Sequence, residues 1–272
     1  MAYAIPPTDA FLNKVCLEYP YDTITEATNG FHRGNRLGQG TYGTVYRGAF
    51  RDGTEIAVKV LSKPKDSGFR EEVEVLSKFR HPNLVILMGF SRHKRADGSF
   101  TKERLLIYEL LPNGDLYSRL QASQTKQNPF SWRERLGVAV DAFLGISHLH
   151  GSRPPVFHRD IKSQNILLDR NGGAKVADFG LACLAQPDKT ALRVAQAAGT
   201  AGYADPEYIR SAIIDERTEV YSVGMVLLEL YTGRPPAVQH PDGKVVMTYQ
   251  HVKGNRDAII NMQDRTAGWP PS

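Results

Sequence analysis

Residues 158–180 read HRDIKSQNILLDRNGGAKVADFG, and this stretch decides how the whole chain is interpreted. Its centre predicts a short hairpin, because the apolar runs at 166–168 and 174–176 flank an Asn-Gly-Gly turn. A long helix that opens on a capping-box signature is predicted before it, at 131–150. A strongly apolar helix is predicted after it, at 219–231. The stretch therefore belongs to a mostly helical half of the chain.

The first part of the chain is instead rich in strand signals. Three antiparallel strands are predicted between residues 35 and 61, and two more around 84–90 and 105–109. A helix at 67–79 lies between these two groups of strands. The turn at 112–114 (Pro-Asn-Gly) marks a clear break. A β-rich half followed by a helical half predicts an α+β chain with two lobes.

A glycine-rich stretch lies inside the predicted strands. Residues 38–45 read GQGTYGTV, with Gly38, Gly40 and Gly43 in the pattern G-x-G-x-x-G-x-V. Glycines let backbone amides approach phosphate oxygens without a side chain in the way. A dinucleotide site requires a helix directly after the glycines, whereas this chain continues as a strand. The pattern therefore favours a glycine hairpin over a dinucleotide-binding fold.

Lys59 lies on the third predicted strand, and two interpretations of it stand side by side. It can extend from a buried strand to solvent, or it can bind nucleotide phosphates, which requires a carboxylate to hold the ammonium in place. The following helix offers Glu71, Glu72 and Glu74. Glu72 shares a helix face with the apolar Leu76, so we favour it as the partner.

Four motifs in this order resemble the protein-kinase signature set. They are the glycine stretch, Lys59, the catalytic loop (residues 158–165) and Asp-Phe-Gly at 178–180. The resemblance covers residues 31–236. It implies a small β-rich lobe with one main helix, a larger helical lobe, and transfer of the γ-phosphoryl group of Mg-ATP to a protein hydroxyl.

The resemblance also implies a role for each polar residue of these motifs. Asp160 would accept or orient the proton of the substrate hydroxyl, and Lys162 would neutralise charge on the γ-phosphate. Asn165 and Asp178 would bind Mg²⁺, which prefers hard oxygen ligands. Lys59 would bind the α- and β-phosphates.

Further runs are similar to one group of serine/threonine kinases, the receptor-like, Pelle and interleukin-receptor-associated kinases. Among them are EATNGF at 26–31 and IKSQNILLD at 161–169. By this resemblance, Tyr108 occupies the gatekeeper position, and the backbone groups of Glu109 and Leu111 bind adenine. The nucleotide-binding residues implied in this way are Leu37, Gly38, Gly40, Gly43, Val45, Ala57, Lys59, Glu72, Tyr108, Glu109, Leu111 and Leu167.

Regulation is suggested by Arg159, which is adjacent to Asp160 and can pair with a phosphate on the activation segment (residues 178–207). The hydroxyl residues of that segment are Thr190, Thr200 and Tyr203. Thr200 resembles the position that contacts substrate. Thr190 is therefore the candidate phosphorylation site.

Two features depart from the family pattern. Glu219 stands where the family usually has an aspartate that anchors the catalytic loop, so its extra methylene either shifts the anchor or is absorbed locally. Glu207 lacks a counterpart of the arginine that pairs with it near the end of the helical lobe. We therefore expect an extension at 1–30, a first lobe at 31–110, and a truncated helical lobe at 111–272.

Composition excludes several classes of protein. With 272 residues, 41% hydrophobic and 23% charged, the chain is expected to be globular rather than disordered. Its 2 cysteines lie far apart, which excludes a disulfide scaffold and a cysteine-based zinc module. No membrane span and no secretory signal are predicted, so the expected location is the cytoplasm, with membrane association only through a partner.

The net charge of +5 permits phosphate or nucleic-acid partners. The basic stretch at 92–95 lacks interleaved aromatic residues and is interpreted as a solvated loop, so no nucleic-acid partner is expected. The expected partners are a protein substrate and an upstream kinase or receptor. The leading function is an ATP-dependent serine/threonine kinase. The alternative is a nucleotide-binding scaffold with little activity, because the helical lobe looks incomplete.

Overall fold

The structure is a computed structural model, and it describes residues 12, 15–40, 43–61, 68–124, 128–186, 188–239, 245–252 and 256–270. The chain divides into two compact units. One contains Met1–Arg80 and Val85–Leu111, and the other contains His81–Leu84 and Pro112–Ser272. The first unit is β-rich and the second is mostly helical, which confirms the predicted α+β class. The finer division at residues 30 and 110 stays a prediction, and most of residues 1–14 of the predicted extension lie outside the described residues.

The first unit is built on a five-stranded antiparallel sheet with the strand order β1-β2-β3-β5-β4. Its strands are β1 (Arg36–Gly40), β2 (Gly43–Ala49), β3 (Glu55–Leu61), β4 (Leu87–Lys94) and β5 (Phe100–Glu109). The last two extend further than the sequence predicts. Gly98 adopts φ 85° in the turn between them, which lets pairing continue as far as Lys94 and Phe100.

The segment ahead of the sheet lies along β4. The Tyr19 amide donates to the Phe90 carbonyl at 2.8 Å, and the Phe90 amide donates to the Leu17 carbonyl at 2.9 Å. Arg92 donates two hydrogen bonds of 2.7 Å to the Glu18 carboxylate. Arg92 is buried, so the expectation of a solvated basic loop is wrong for this residue. The Glu18 carboxylate, in the segment ahead of the sheet, neutralises the charge of Arg92.

Two helices with described bounds pack in the part of the first unit that the structure describes. Helix α1 (Tyr21–Ala27) buries Ile24 in the core of the sheet. Helix α2 (Phe69–Lys78) buries one face and corresponds to the helix predicted at 67–79, of which residue 67 lies outside the described residues. The core cluster around α1 consists of Ile24, Ile56, Val58, Leu105 and Ile107. Alternation along β3 places Ile56 and Val58 on this core face.

Over its described residues, the second unit contains two long helices, four short ones and four two-stranded sheets. Its helices are α3 (Leu116–Ser123), α4 (Trp132–His150), α5 (Pro206–Ser211), α6 (Glu216–Thr232), α7 (Thr248–Val252) and α8 (Arg256–Asn261). Its strands pair as β6 (Val156–Phe157) with β9 (Cys183–Leu184), β7 (Ile166–Leu168) with β8 (Ala174–Val176), β10 (Ala191–Arg193) with β11 (Ile213–Asp215), and β12 (Ala237–Gln239) with β13 (Val245–Met247). The β7–β8 pair is the hairpin predicted from the quoted stretch.

Side-chain caps fix where the two long helices begin. The predicted capping box of α4 is present, with the Ser131 amide donating to the Glu134 carboxylate at 2.7 Å. Helix α6 begins at Glu216 rather than at 219, because the Asp215 side chain accepts a hydrogen bond from the Thr218 amide at 3.1 Å. This earlier start puts Glu219 in the first turn of α6.

Candidate active site

In the first unit, Lys59 and Glu72 form a buried ion pair. The Lys59 Nζ donates to the Glu72 Oε2 at 2.9 Å, and the two residues are 8% and 1% exposed. Strand β3 supplies the lysine and the buried face of α2 supplies the carboxylate. A buried charge requires an opposite charge beside it, so each residue fixes the position of the other.

The glycine stretch forms a hairpin between β1 and β2. Gly40 pairs with Gly43, and the chain continues as a strand, as the sequence predicts. A Cβ on Gly43 would lie 2.1 Å from the Val60 carbonyl oxygen, so only glycine fits there. Positions Gly38 and Gly40 face open space, with nothing within 4 Å of a Cβ placed on them. The two residues at the tip, 41 and 42, lie outside the described residues.

The remaining predicted nucleotide-binding residues of this unit cluster on neighbouring strands. Val45 is the cross-strand partner of Lys59, and Ala57 is the partner of Tyr108. Glu109 is held at the end of β5, where its carboxylate accepts from the Ile86 amide at 2.9 Å. Leu37 is exposed on β1, and Leu111 is buried where this unit ends.

In the second unit, the catalytic loop places three polar side chains around the Asp160 carboxylate. The Thr200 hydroxyl donates to Oδ1 at 2.6 Å, and the Lys162 ammonium lies 2.7 Å from Oδ2. Lys162 also donates to the Thr200 hydroxyl at 2.8 Å. The Asn165 amide donates to the Asp160 backbone carbonyl at 2.8 Å and to its carboxylate at 3.2 Å. The structure thus brings four predicted site residues together.

His158 connects this loop to the Asp-Phe-Gly stretch. Its Nδ1 accepts from the Asp160 amide at 3.2 Å, so its Nε2 is the nitrogen that donates to the Ala177 carbonyl at 3.0 Å. The fully buried Phe179 packs on the His158 ring, with 4.7 Å between ring centroids. The predicted hairpin residue Leu167 lies on β7, opposite Lys175.

A backbone hydrogen bond links the two segments that carry the predicted metal ligands, Asn165 and Asp178. The Ala177 amide donates to the Asn165 carbonyl at 2.8 Å, and Asp178 follows with φ 66°. Among the described residues, no group of three or more His, Cys, Asp or Glu could hold a metal. One carboxylate and one amide suit Mg²⁺, which usually completes its coordination with phosphates and water.

Glu219 anchors the catalytic loop despite its extra methylene. Its Oε1 accepts from the Arg159 amide at 2.6 Å, and its Oε2 lies 2.7 Å from His150 Nε2. The side chain is nearly fully buried. The longer side chain is therefore absorbed locally, and one carboxylate joins α6, α4 and the catalytic loop.

A second α6 carboxylate was missed by the sequence interpretation. Glu229 accepts hydrogen bonds from the hydroxyls of Ser163 at 2.9 Å and Tyr203 at 2.7 Å. Burial raises the pKa of Glu229 to about 7, and it also raises the pKa of Tyr203. A glutamate that lies ten residues after Glu219, in an apolar helix, is the signal that could have found it.

The structure does not bring Thr190 to Arg159. Thr190 lies directly before β10, whereas Arg159 donates to the Gln196 carbonyl, which lies beyond the other end of β10. The role of Thr190 as a phosphorylation site stays a prediction.

Comparison with known proteins adds independent evidence. The family model described as the protein kinase domain matches residues 31–267. The chain is 42% identical over 225 residues to the probable serine/threonine-protein kinase PBL28 of Arabidopsis thaliana, covering 79% of this chain and 58% of that protein. It is 41% identical over 232 residues to a probable receptor-like serine/threonine-protein kinase of the same plant, covering 84% and 52%. The leaf rust 10 disease-resistance locus receptor-like protein kinase-like 1.3, also of Arabidopsis thaliana, is 41% identical over 257 residues, covering 92% of this chain and 36% of that protein.

The chain spans between about a third and three-fifths of the length of these three relatives. Among the described residues, no helix combines the length and apolar character that crossing a membrane requires.

Proposed function

The chain belongs to the protein kinase domain family, and from that premise we propose that it is a serine/threonine kinase that transfers the γ-phosphoryl group of ATP to a protein hydroxyl. The observation that carries the proposal is the set of contacts around Asp160. A carboxylate held by Lys162 and Asn165 and bonded to the Thr200 hydroxyl has the geometry that hydroxyl activation needs.

The catalytic loop supplies the proton and charge steps of this proposal. The Thr200 hydroxyl donates to Asp160 Oδ1 at 2.6 Å, which is the contact that a substrate hydroxyl would make. Asp160 would therefore orient the attacking oxygen and take its proton as the bond from that oxygen to the γ-phosphorus forms and the bond from phosphorus to the β,γ-bridging oxygen breaks, releasing ADP. Lys162, whose ammonium lies 2.7 Å from Asp160 Oδ2, would neutralise charge on the transferred group.

Asn165 and Asp178 would hold Mg²⁺, and Lys59 would bind the α- and β-phosphates. When bound, Mg²⁺ supplies positive charge at the phosphate oxygens. Glu72 holds the Lys59 ammonium at one point, so the lysine does not have to be ordered when ATP arrives. The hairpin of Gly38, Gly40 and Gly43 offers backbone amides to the phosphates.

The adenine is assigned to apolar side chains and to the end of β5. Val45, Ala57 and Leu167 would contact its faces, with Leu37 at the glycine hairpin. Tyr108 would act as the gatekeeper, and Glu109 and Leu111 would offer backbone groups to its edge. These assignments rest on the family resemblance.

The proposal extends to partners and location. We expect a protein substrate, an upstream kinase or receptor, and a cytoplasmic site of action that reaches the membrane through a partner. The receptor-like kinases among the relatives support an upstream receptor. Phosphorylation of Thr190 would be contradicted by full activity and unchanged autophosphorylation of Thr190→Ala.

The test is phosphate transfer from ATP to a generic basic protein. We expect transfer by the wild-type chain and by Asp97→Asn, an exposed matched control in the turn between β4 and β5. We expect Asp160→Ala to lose about 10³-fold or more in rate, since activation of the hydroxyl is lost. ATP binding without any transfer that depends on Asp160 would contradict the proposal and favour an inactive nucleotide-binding scaffold.

A further inference from the structure

Each nitrogen of the Arg159 guanidinium donates a hydrogen bond to a neutral oxygen. Its Nε donates to the Tyr208 hydroxyl at 2.9 Å, its Nη1 to the Leu181 carbonyl at 3.1 Å, and its Nη2 to the Gln196 carbonyl at 2.9 Å. Leu181 and Gln196 both lie in the activation segment, 15 residues apart. Arg159 therefore holds two parts of this segment through hydrogen bonds to neutral backbone oxygens.

The Tyr208 hydroxyl lies beside Arg159, where a phosphate on the activation segment would be expected. The hydroxyl accepts from Arg159 Nε and also from the Ala198 amide at 3.2 Å. The residue is 3% exposed, and its ring packs with Phe157, Ala185 and Ile214. One oxygen thus joins the catalytic loop, the activation segment and the short helix α5.

The backbone on both sides of this contact is already ordered. Strand β10 pairs with β11, and the Val194 amide continues that pairing to the Ala212 carbonyl at 2.9 Å. Gly199 approaches the catalytic loop so closely that a Cβ on it would lie 3.1 Å from the Arg159 carbonyl oxygen. Ala198 lies between these two fixed points, so its amide is presented to Tyr208.

We propose that the Tyr208 hydroxyl is a positioning group, which fixes residues 191–200 against Arg159 and so orders the activation segment without a phosphate. The proposal rests on the proposed kinase function. A hydroxyl satisfies two donors here as a phosphate oxygen would, and it does so without any modification of the segment.

The test is hydrogen exchange of the full chain in the absence of ATP, followed on the peptide that covers residues 191–200. Tyr208→Phe removes the hydroxyl and leaves the ring in its cluster. Its matched control is Tyr221→Phe, which removes a hydroxyl from the α6 surface, where the ring contacts only Tyr249 among the described rings. The peptide of α4 reports whether each variant is folded.

We expect exchange of the 191–200 peptide to be about tenfold faster in Tyr208→Phe, because a hydrogen bond to a charged group is lost. Tyr221→Phe and the α4 peptide should stay at wild-type rates. Wild-type protein treated with phosphatase should keep its protection.

Two results would overturn the proposal. One is exchange of Tyr208→Phe within twofold of wild type. The other is loss of protection in phosphatase-treated wild type, which would assign the ordering to a phosphate. If Tyr208→Phe fails to fold, amide-resolved exchange of the wild type decides the matter, since the Ala198 amide donates to the Tyr208 hydroxyl and must be protected; exchange of Ala198 at the rate of an unprotected amide would then overturn the proposal.

Kinetics separate this proposal from the proposed function. A positioning role predicts that Tyr208→Phe lowers kcat for a protein substrate by about tenfold and leaves the KM for ATP unchanged. If the wild-type chain transfers no phosphate, the kinase proposal fails. The exchange measurement still decides whether Tyr208 orders the segment.

Discussion

Glu219→Gln is the substitution that tests the anchor of the catalytic loop most sharply, because it keeps the shape of the side chain and removes its charge. The carboxylate holds two partly buried partners, the Arg159 amide at 2.6 Å and His150 Nε2 at 2.7 Å. A hydrogen bond to a charged group contributes about 1.5–3 kcal/mol, and a neutral one contributes about 0.5–1.5 kcal/mol. The glutamine side chain can still accept a hydrogen bond from one of these partners, but its NH₂ group then faces the other. We therefore expect a loss of about 2–3 kcal/mol in the free energy of unfolding.

Calorimetric unfolding measures this loss. For a domain of this size, about 2–3 kcal/mol lowers the Tm by roughly 4–12 °C. The matched control is Glu216→Gln, an exposed carboxylate in the same first turn of α6, which should cost no more than about 1 kcal/mol. Phosphate transfer should fall together with stability, because Arg159 adjoins Asp160. A Glu219→Gln variant that unfolds at the wild-type temperature would refute the reasoning.

Two further predictions concern buried carboxylates of the second unit. Asp264→Asn should destabilise the fold by about 3–5 kcal/mol in denaturant unfolding, since it leaves the fully buried Arg135 unpaired across a 2.6 Å contact, whereas the exposed Asp257→Asn should have little effect. The folded pKa of Glu229, about 7, lies above its ordinary value of 4.5, so the folded state binds the extra proton and stability falls as the pH rises from about 4.5 through 7. We expect this fall, on the order of 3 kcal/mol, in thermal unfolding of wild type. Glu229→Gln should flatten it, and an equal slope in both proteins would contradict the assignment.

Much of the fold and part of the candidate site could be predicted from residues that are close together in the sequence. The α4 capping box follows from Ser131 and Glu134, and the β7–β8 hairpin follows from its turn residues, because both depend on neighbours in sequence. The Lys59–Glu72 contact follows from strand alternation and helix spacing. These features need only short-range rules.

Contacts between segments that are distant in the sequence could not be predicted from short-range rules. Nothing local predicts that the Tyr208 hydroxyl meets Arg159, 49 residues earlier, or that Glu229 accepts from Ser163, 66 residues away. The burial of Arg92 depends likewise on Glu18, 74 residues before it. Each of these contacts is set by tertiary packing, which decides where a polar group finds its partner.

Single-turnover transfer from labelled ATP to a basic protein substrate is the measurement that tests the central claim most directly. The chain is premixed with Mg²⁺ and ATP, and the wild type is compared with Asp160→Asn, which keeps the shape of the side chain. We predict label on serine or threonine of the substrate with the wild type. With Asp160→Asn, we predict a rate that is lower by about 10³-fold or by a larger factor. Equal rates for the two proteins, or no transfer by either while ATP is bound, would contradict the account.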